Sequence, residues 1–146
     1  MAETITTRIE LIPIKTLIEG LEDGHIEPDR NLFELGRYIP QEDRQDFIVS
    51  LMAGVPVMPF VFDGTDRPWR VLDGEKRLAL IWAFYANTFP IEDSPYMLVG
   101  GQKLFGELPL FKKRRFMGTK IPCYVVNPPT SRAAVNDIQN RMNRPL

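Results

Sequence analysis

Thirteen prolines are spread through the 146 residues of this chain. Proline fixes its own φ and brings no backbone N–H, so helix interiors and central strands disfavour it. Many of these prolines fall near the ends of patterned stretches, which argues for short elements joined by defined loops. There is no internal repeat and no low-complexity segment. The length favours one domain, residues 1–146, with room for a single real core.

The stretch TRIELIPIKTL alternates and carries β-branched residues, which predicts a strand. A loop, EGLEDGHIEPDRN, follows. NLFELGRYIP predicts a short helical turn running into an extended piece. Residues 40–54 predict a helix: Pro40 starts it, the first turn is acidic, Phe47, Ile48, Leu51 and Met52 share a face, and Gly54 ends it. VPVMPFVFD and PWRVLD predict two strands paired as a hairpin across DGTDRP. The segment EKRLALIWAFYANTF predicts a helix with Leu78, Ile81, Trp82 and Tyr85 on one face, widened by Leu80 and Phe84. Residues 90–109 are irregular, with short strands expected over YMLV and KLF. LFKKRRFMG predicts a helix and KIPCYVV a strand. The last stretch, PTSRAAVNDIQNRMN, predicts a helix capped by Thr130 or Ser131, with Ala134, Val135, Ile138 and Met142 inward. The sum is a compact α+β domain with a small mixed β-sheet and about four helices.

Charge and composition exclude several functions. Lys and Arg number 18, Asp and Glu 19, and the net charge is −1, so only a local patch could attract nucleic acid. His25, in a turn, is the only histidine, and Cys123, in an apolar run, the only cysteine. A His-based nuclease site, a Cys–His dyad or a two-His metal site lacks the partners it needs. His25 is expected to be an exposed loop residue and Cys123 a small core residue. The N-terminal segment does not read as a signal peptide, and no stretch approaches the ~18 apolar residues of a membrane span. A cytoplasmic protein with no membrane partner is the expectation.

The most informative junction is VLDGEKRLAL, residues 71–80. A strand ends at Asp73, Gly74 permits a tight turn, and a helix starts at Glu75. A helix start offers unpaired N–H groups and roughly half a positive charge, a general anion site. Gly74 would let backbone approach closely. Lys76 and Arg77 are cations where the helix dipole disfavours them, unless an anion compensates. Glu75 is a natural carboxylate for Mg²⁺ bridging phosphates. The competing reading is a plain solvated first turn, which is the commoner use of such a triplet.

The wider pattern around this junction resembles the ParB/sulfiredoxin-like superfamily. The pieces are GRYIP, DFIVSLMAGVPVMPFVF and WRVLDGEKRLALIWAF. It looks most like the N-terminal domain of GmrSD-type restriction proteins, with their Asp-Gly-Gln-Gln-Arg box. The matching residues are Arg37 and Tyr38, Ser50 to Pro56, and Asp73 to Arg77. Arg141 and Asn143 resemble that family's Phe-x-Arg-x-Asn segment. The resemblance implies nucleoside-triphosphate binding, with possible Mg²⁺-dependent hydrolysis, linked to DNA defence or DNA processing. Gly74, Lys76 and Arg77 would then cradle phosphates. Glu75 would hold Mg²⁺ or orient water, and Asp73 would fix the turn or join the metal shell. Arg37 and Asn143 would contribute from neighbouring loops. The box reads DGEKR rather than the double Gln, and the further downstream Arg of ParB is absent, which bears on hydrolysis more than on binding. Where the sulfiredoxin version has cysteine, this chain has Glu75. A nuclease activity of its own is not expected.

A second function class stands beside the first. Lys112, Lys113, Arg114 and Arg115 form a basic run that could contact a phosphate backbone in DNA or RNA. With a net charge of −1, a solvated helix face is the commoner use of such a run. Phe111 and Phe116 are expected in the core under either reading. Trp69, near the hairpin turn, could stack a base, although packing is the favoured expectation for it, and Trp82 belongs to an apolar face. On this reading the chain is a non-catalytic nucleic-acid-binding module, adaptor or inhibitor of the same fold. A homo-oligomer is compatible with both. Glu22-Asp23 and Glu92-Asp93 read as loop charges. Glu42 and Asp46 offer a possible further carboxylate near the box.

Overall fold

The computed structural model describes residues 2–144. Strand β1 (Thr7–Pro13) runs straight into helix α1 (Ile14–Glu22). Next come β2 (Ile26–Glu27), α2 (Leu32–Arg37) and α3 (Gln41–Ala53). The hairpin β3 (Phe60–Asp63) and β4 (Trp69–Asp73) leads into α4 (Glu75–Tyr85). Then follow α5 (Leu110–Gly118), β5 (Lys120–Val126) and α6 (Arg132–Met142), with one 3-10 turn at Phe105–Glu107. The five strands form one mixed sheet in the order β1-β5-β3-β4-β2. β1 is antiparallel to β5, β3 antiparallel to β4, and β3–β5 and β2–β4 are parallel.

The α+β class and the mixed sheet are as the pattern implies, but the described residues hold six α-helices, not about four. The two additions are α1 and α2. The expected first strand stops at Pro13, and α1 takes up residues that had read as strand and loop. Ile14, Leu17, Ile18 and Leu21 recur at helical spacing, and the first three are buried. β3 also starts late, at Phe60, because Pro56 and Pro59 have no N–H to give the ladder. YMLV and KLF form no strand. Two isolated bridges, Ile91 with Lys103 and Ser94 with Met97, organise that region instead. Asp93 accepts from the N–H groups of Val99, Gly100 and Gly101, which holds its carboxyl below the usual carboxylate range. It is therefore a turn-former rather than a free loop charge.

The main core lies on one sheet face. α4 crosses it with Leu78, Ala79, Leu80, Ile81, Ala83 and Phe84 all buried. A helix apolar nearly all round belongs inside. Trp82 and Tyr85 are its half-buried aromatic residues, while Phe84 is fully buried. Cys123 is fully buried in this core, and burial pushes its thiol up to about 12. The other sheet face carries a smaller cluster, Val61, Leu72 and Val126 against Val135 and Ile138 of α6. Met142 does not join it and is half exposed. Phe116 is in the main core, but Phe111 is 68% exposed. No helix among the described residues is long and apolar enough to cross a membrane.

Candidate anion-binding cleft

The β4–α4 junction forms as the spacing of VLDGEKRLAL implies. Asp73 ends the strand, Gly74 adopts φ 100°, and Glu75 opens the helix. Only glycine fits. A Cβ there would stand 2.6 Å from Phe60 Cδ1, in a backbone region that L-residues avoid. Its close approach is thus to the sheet below it. No side chain caps the N-terminus of α4. That end opens into a cleft of about 710 Å³, lined by Asp29, Arg30, residues 71–77, Gln139 and Asn143. Such a volume lies within the usual ~300–1,000 Å³ of small-molecule sites.

The charged residues of the box have three different environments. Glu75 is only 11% exposed. Its Oε2 accepts from the Asp29 N–H at 2.8 Å and its Oε1 from Arg30 Nε at 2.7 Å. It fastens the 29–30 loop to the helix start. Arg77 turns towards the sheet. It donates to the carbonyls of Met58 and Pro59, sits 4.8 Å above the Phe60 ring and lies 3.6 Å from Asp73. Burial lowers its pKa, opposed by Asp73, but a guanidinium stays charged. Lys76 is exposed and has no ion pair among the described residues.

Asn143 reaches the cleft as expected. Its Nδ2 donates to Gln139 O and, more weakly, to Leu72 O, tying the end of α6 to β4. Arg37 is placed elsewhere. It lines a smaller pocket with Phe33, Glu34, Arg44, Ala83 and Thr88, and its own carbonyl receives Arg44. Glu42 and Asp46 do not line the cleft either; the further carboxylate is Asp29. Asp29, Arg30 and Gln139 also line the cleft, without a place in the sequence pattern of the box. The acid–base pair directly before the Asn31 cap of α2 is the local signal of Asp29 and Arg30, and Gln139 on α6 has none.

Lys112, Lys113, Arg114 and Arg115 lie on α5, next to the far end of α4, where Phe116 meets Phe84 at 5.2 Å. From Glu75 to Phe84 is about 13 Å along a helix axis. None of the four basic residues lines the cleft at the box. Lys112 donates to the Leu98 carbonyl, whereas Lys113, Arg114 and Arg115 have no acidic partner among the described residues. Trp69 packs on Phe62, with Arg8 over its ring.

No model of a known protein family matches this chain, and no curated protein matches it.

Proposed function

We propose that the cleft at the start of α4 binds a nucleoside triphosphate together with Mg²⁺. The observation that carries this reading is an uncapped helix N-terminus opening into a cleft with Arg30, Lys76 and Arg77 on its walls. Free N–H groups and a helix dipole favour phosphate, and Lys76 is the cation with nothing else to neutralise it. Asp73 and Glu75 are the residues that would hold Mg²⁺, whose chemistry there is to offset phosphate charge. A single carboxylate suits an ion that arrives with phosphate and water. Asp73 fits better, since each Glu75 oxygen already accepts a hydrogen bond. If the triphosphate is hydrolysed, Asp73 is also the better placed to orient water, with Lys76 and Arg77 offsetting the developing charge. The likeness of the DGEKR box to ParB/sulfiredoxin-like and GmrSD-type domains supports a role in DNA defence or DNA processing.

The test is a thermal-melt panel with ATP, GTP, CTP and UTP, with and without Mg²⁺, on wild type and Lys76→Ala. A ligand at 100 times its dissociation constant stabilises by about 2.7 kcal/mol, several degrees in Tm for a domain of this size. A Mg²⁺-dependent shift for one nucleotide, reduced in Lys76→Ala, is expected. No shift at about millimolar nucleotide overturns the reading.

A second reading rests on α5. Among the described residues Lys113, Arg114 and Arg115 are without acidic partners beside the exposed Phe111, which suits a non-catalytic module that binds nucleic acid. Charge reversal at 112–115 would then abolish DNA or RNA binding and leave nucleotide binding intact.

A further inference from the structure

β1 is an edge strand with one partner, β5. The ladder shows which way its backbone points. Asn127 N–H donates to Thr6 O, and Ile14 N–H donates to Thr119 O, at the two ends of the β1–β5 register. Even-numbered residues of β1 therefore turn their N–H and C=O towards β5. Pro122 faces Leu11, an odd position, where no N–H is required of it. By the same alternation Thr7, Ile9 and Leu11 present their N–H and C=O to the open edge.

The side chains divide in the same way. Ile9 and Leu11 are 66% and 62% exposed, and with Tyr124, which pairs with Ile9, they make an apolar strip on the sheet face that α6 leaves uncovered. Arg8 and Glu10 point to the opposite face and bond each other at 2.8 Å. A long edge strand with an apolar strip is a template for another strand, unless its charges forbid it.

We infer that β1 pairs antiparallel with β1 of a second copy of this chain, about a two-fold axis at Ile9. This register is the one the charges select. Centred on Ile9, it sets Arg8 opposite the partner's Glu10 and Glu10 opposite the partner's Arg8. A shift of one residue towards the N-terminus sets Arg8 against Arg8, and a shift the other way sets Glu10 against Glu10. Like charges directly opposite are destabilising, and opposite charges favourable. In the selected register Ile9 exchanges both backbone bonds with its symmetry mate, and Thr7 does so with Leu11. The apolar strip becomes continuous across the joined sheets. Pro13, with no N–H, ends the pairing. A contact built on one strand is at the small end of stable interfaces, so dissociation in the micromolar range is expected.

Sedimentation equilibrium between about 5 and 500 µM tests this. Wild type should move from 16.8 kDa towards twice that mass. Arg8→Glu and Glu10→Arg should each weaken association at least about tenfold, and the double exchange should restore it, since it rebuilds the opposed pairs. Leu11→Lys, at an exposed position, should weaken association with an unchanged thermal midpoint, which covers the case in which the charge variants fold poorly. A wild-type chain that stays at monomer mass throughout overturns the inference. So does a dimer whose mass none of these variants changes, or one the double exchange fails to restore.

Discussion

The two ends of α4 solve opposite problems. At its C-terminal end Phe84 is enclosed by Phe89, Phe105 and Phe116, with ring centroids 5.2–5.7 Å away. At its N-terminal end Glu75 and Arg77 are held by hydrogen bonds to the 29–30 and 58–59 segments. Both ends are anchored, one by shape and the other by donor–acceptor pairs. The difference is what each leaves over. The aromatic end encloses Phe84 completely. The polar end leaves Lys76 and the helix N-terminus facing a cleft.

Variants along the helix should separate these two kinds of anchor. Phe84→Ala should cost the most, about 3–5 kcal/mol in urea melts, because a large buried ring leaves a cavity. A much smaller loss would mean the aromatic end collapses around the gap. Gly74→Ala comes next, at roughly 2–4 kcal/mol, from a left-handed backbone and from a Cβ driven into Phe60. Arg77→Ala should cost roughly 1–3 kcal/mol by orphaning the Met58 and Pro59 carbonyls. That makes it a poor probe of phosphate binding on its own, since lost structure and lost contact would look alike.

Cys123 is buried in the core beside Phe60 in the sheet, and its pH response is smaller. Burial first, then Glu10, raises its pKa to about 12 from an ordinary 9.0. The neutral thiol's contribution is fully present below pH 9, and falls by up to about 1.4 kcal/mol per pH unit above it, until the folded group also ionises. Melts from pH 8 to 10.5 should show this slope, and Cys123→Ala should flatten it. Lys76→Ala should have the smallest effect on stability, within about 0.5 kcal/mol, while lowering nucleotide affinity. Loss of both together would place Lys76 among the anchors and remove the contrast.

Much of this was legible in the sequence, for identifiable reasons. The helix from Glu75, the hairpin before it and β5 announce themselves through apolar runs bounded by Gly, Pro and charge. α1 was hidden because isoleucines supply its core positions and read as strand until Pro13 is seen as the break. The site was half legible. Residues 73–77 form one junction, so adjacency alone brings them together. Asp29, Arg30 and Gln139 arrive from 40 or more positions away, and no local pattern encodes a meeting that the sheet order creates. Glu75 shows the limit most plainly. Its residue type fits a metal ligand, but its neighbours in space make it a tether.

The seam under α6 gives the cleft unequal walls. α6 has one fully buried side chain, Val135, yet it carries Gln139 and Asn143 to the rim. The floor at Gly74 is wedged against Phe60 and has no slack. The α6 wall is therefore the side that substitution can reshape, its rim held by hydrogen bonds of 3.3 Å from Gln139 to Asp29 and 3.4 Å from Asn143 to Leu72, while the box opposite admits nothing larger than glycine at position 74.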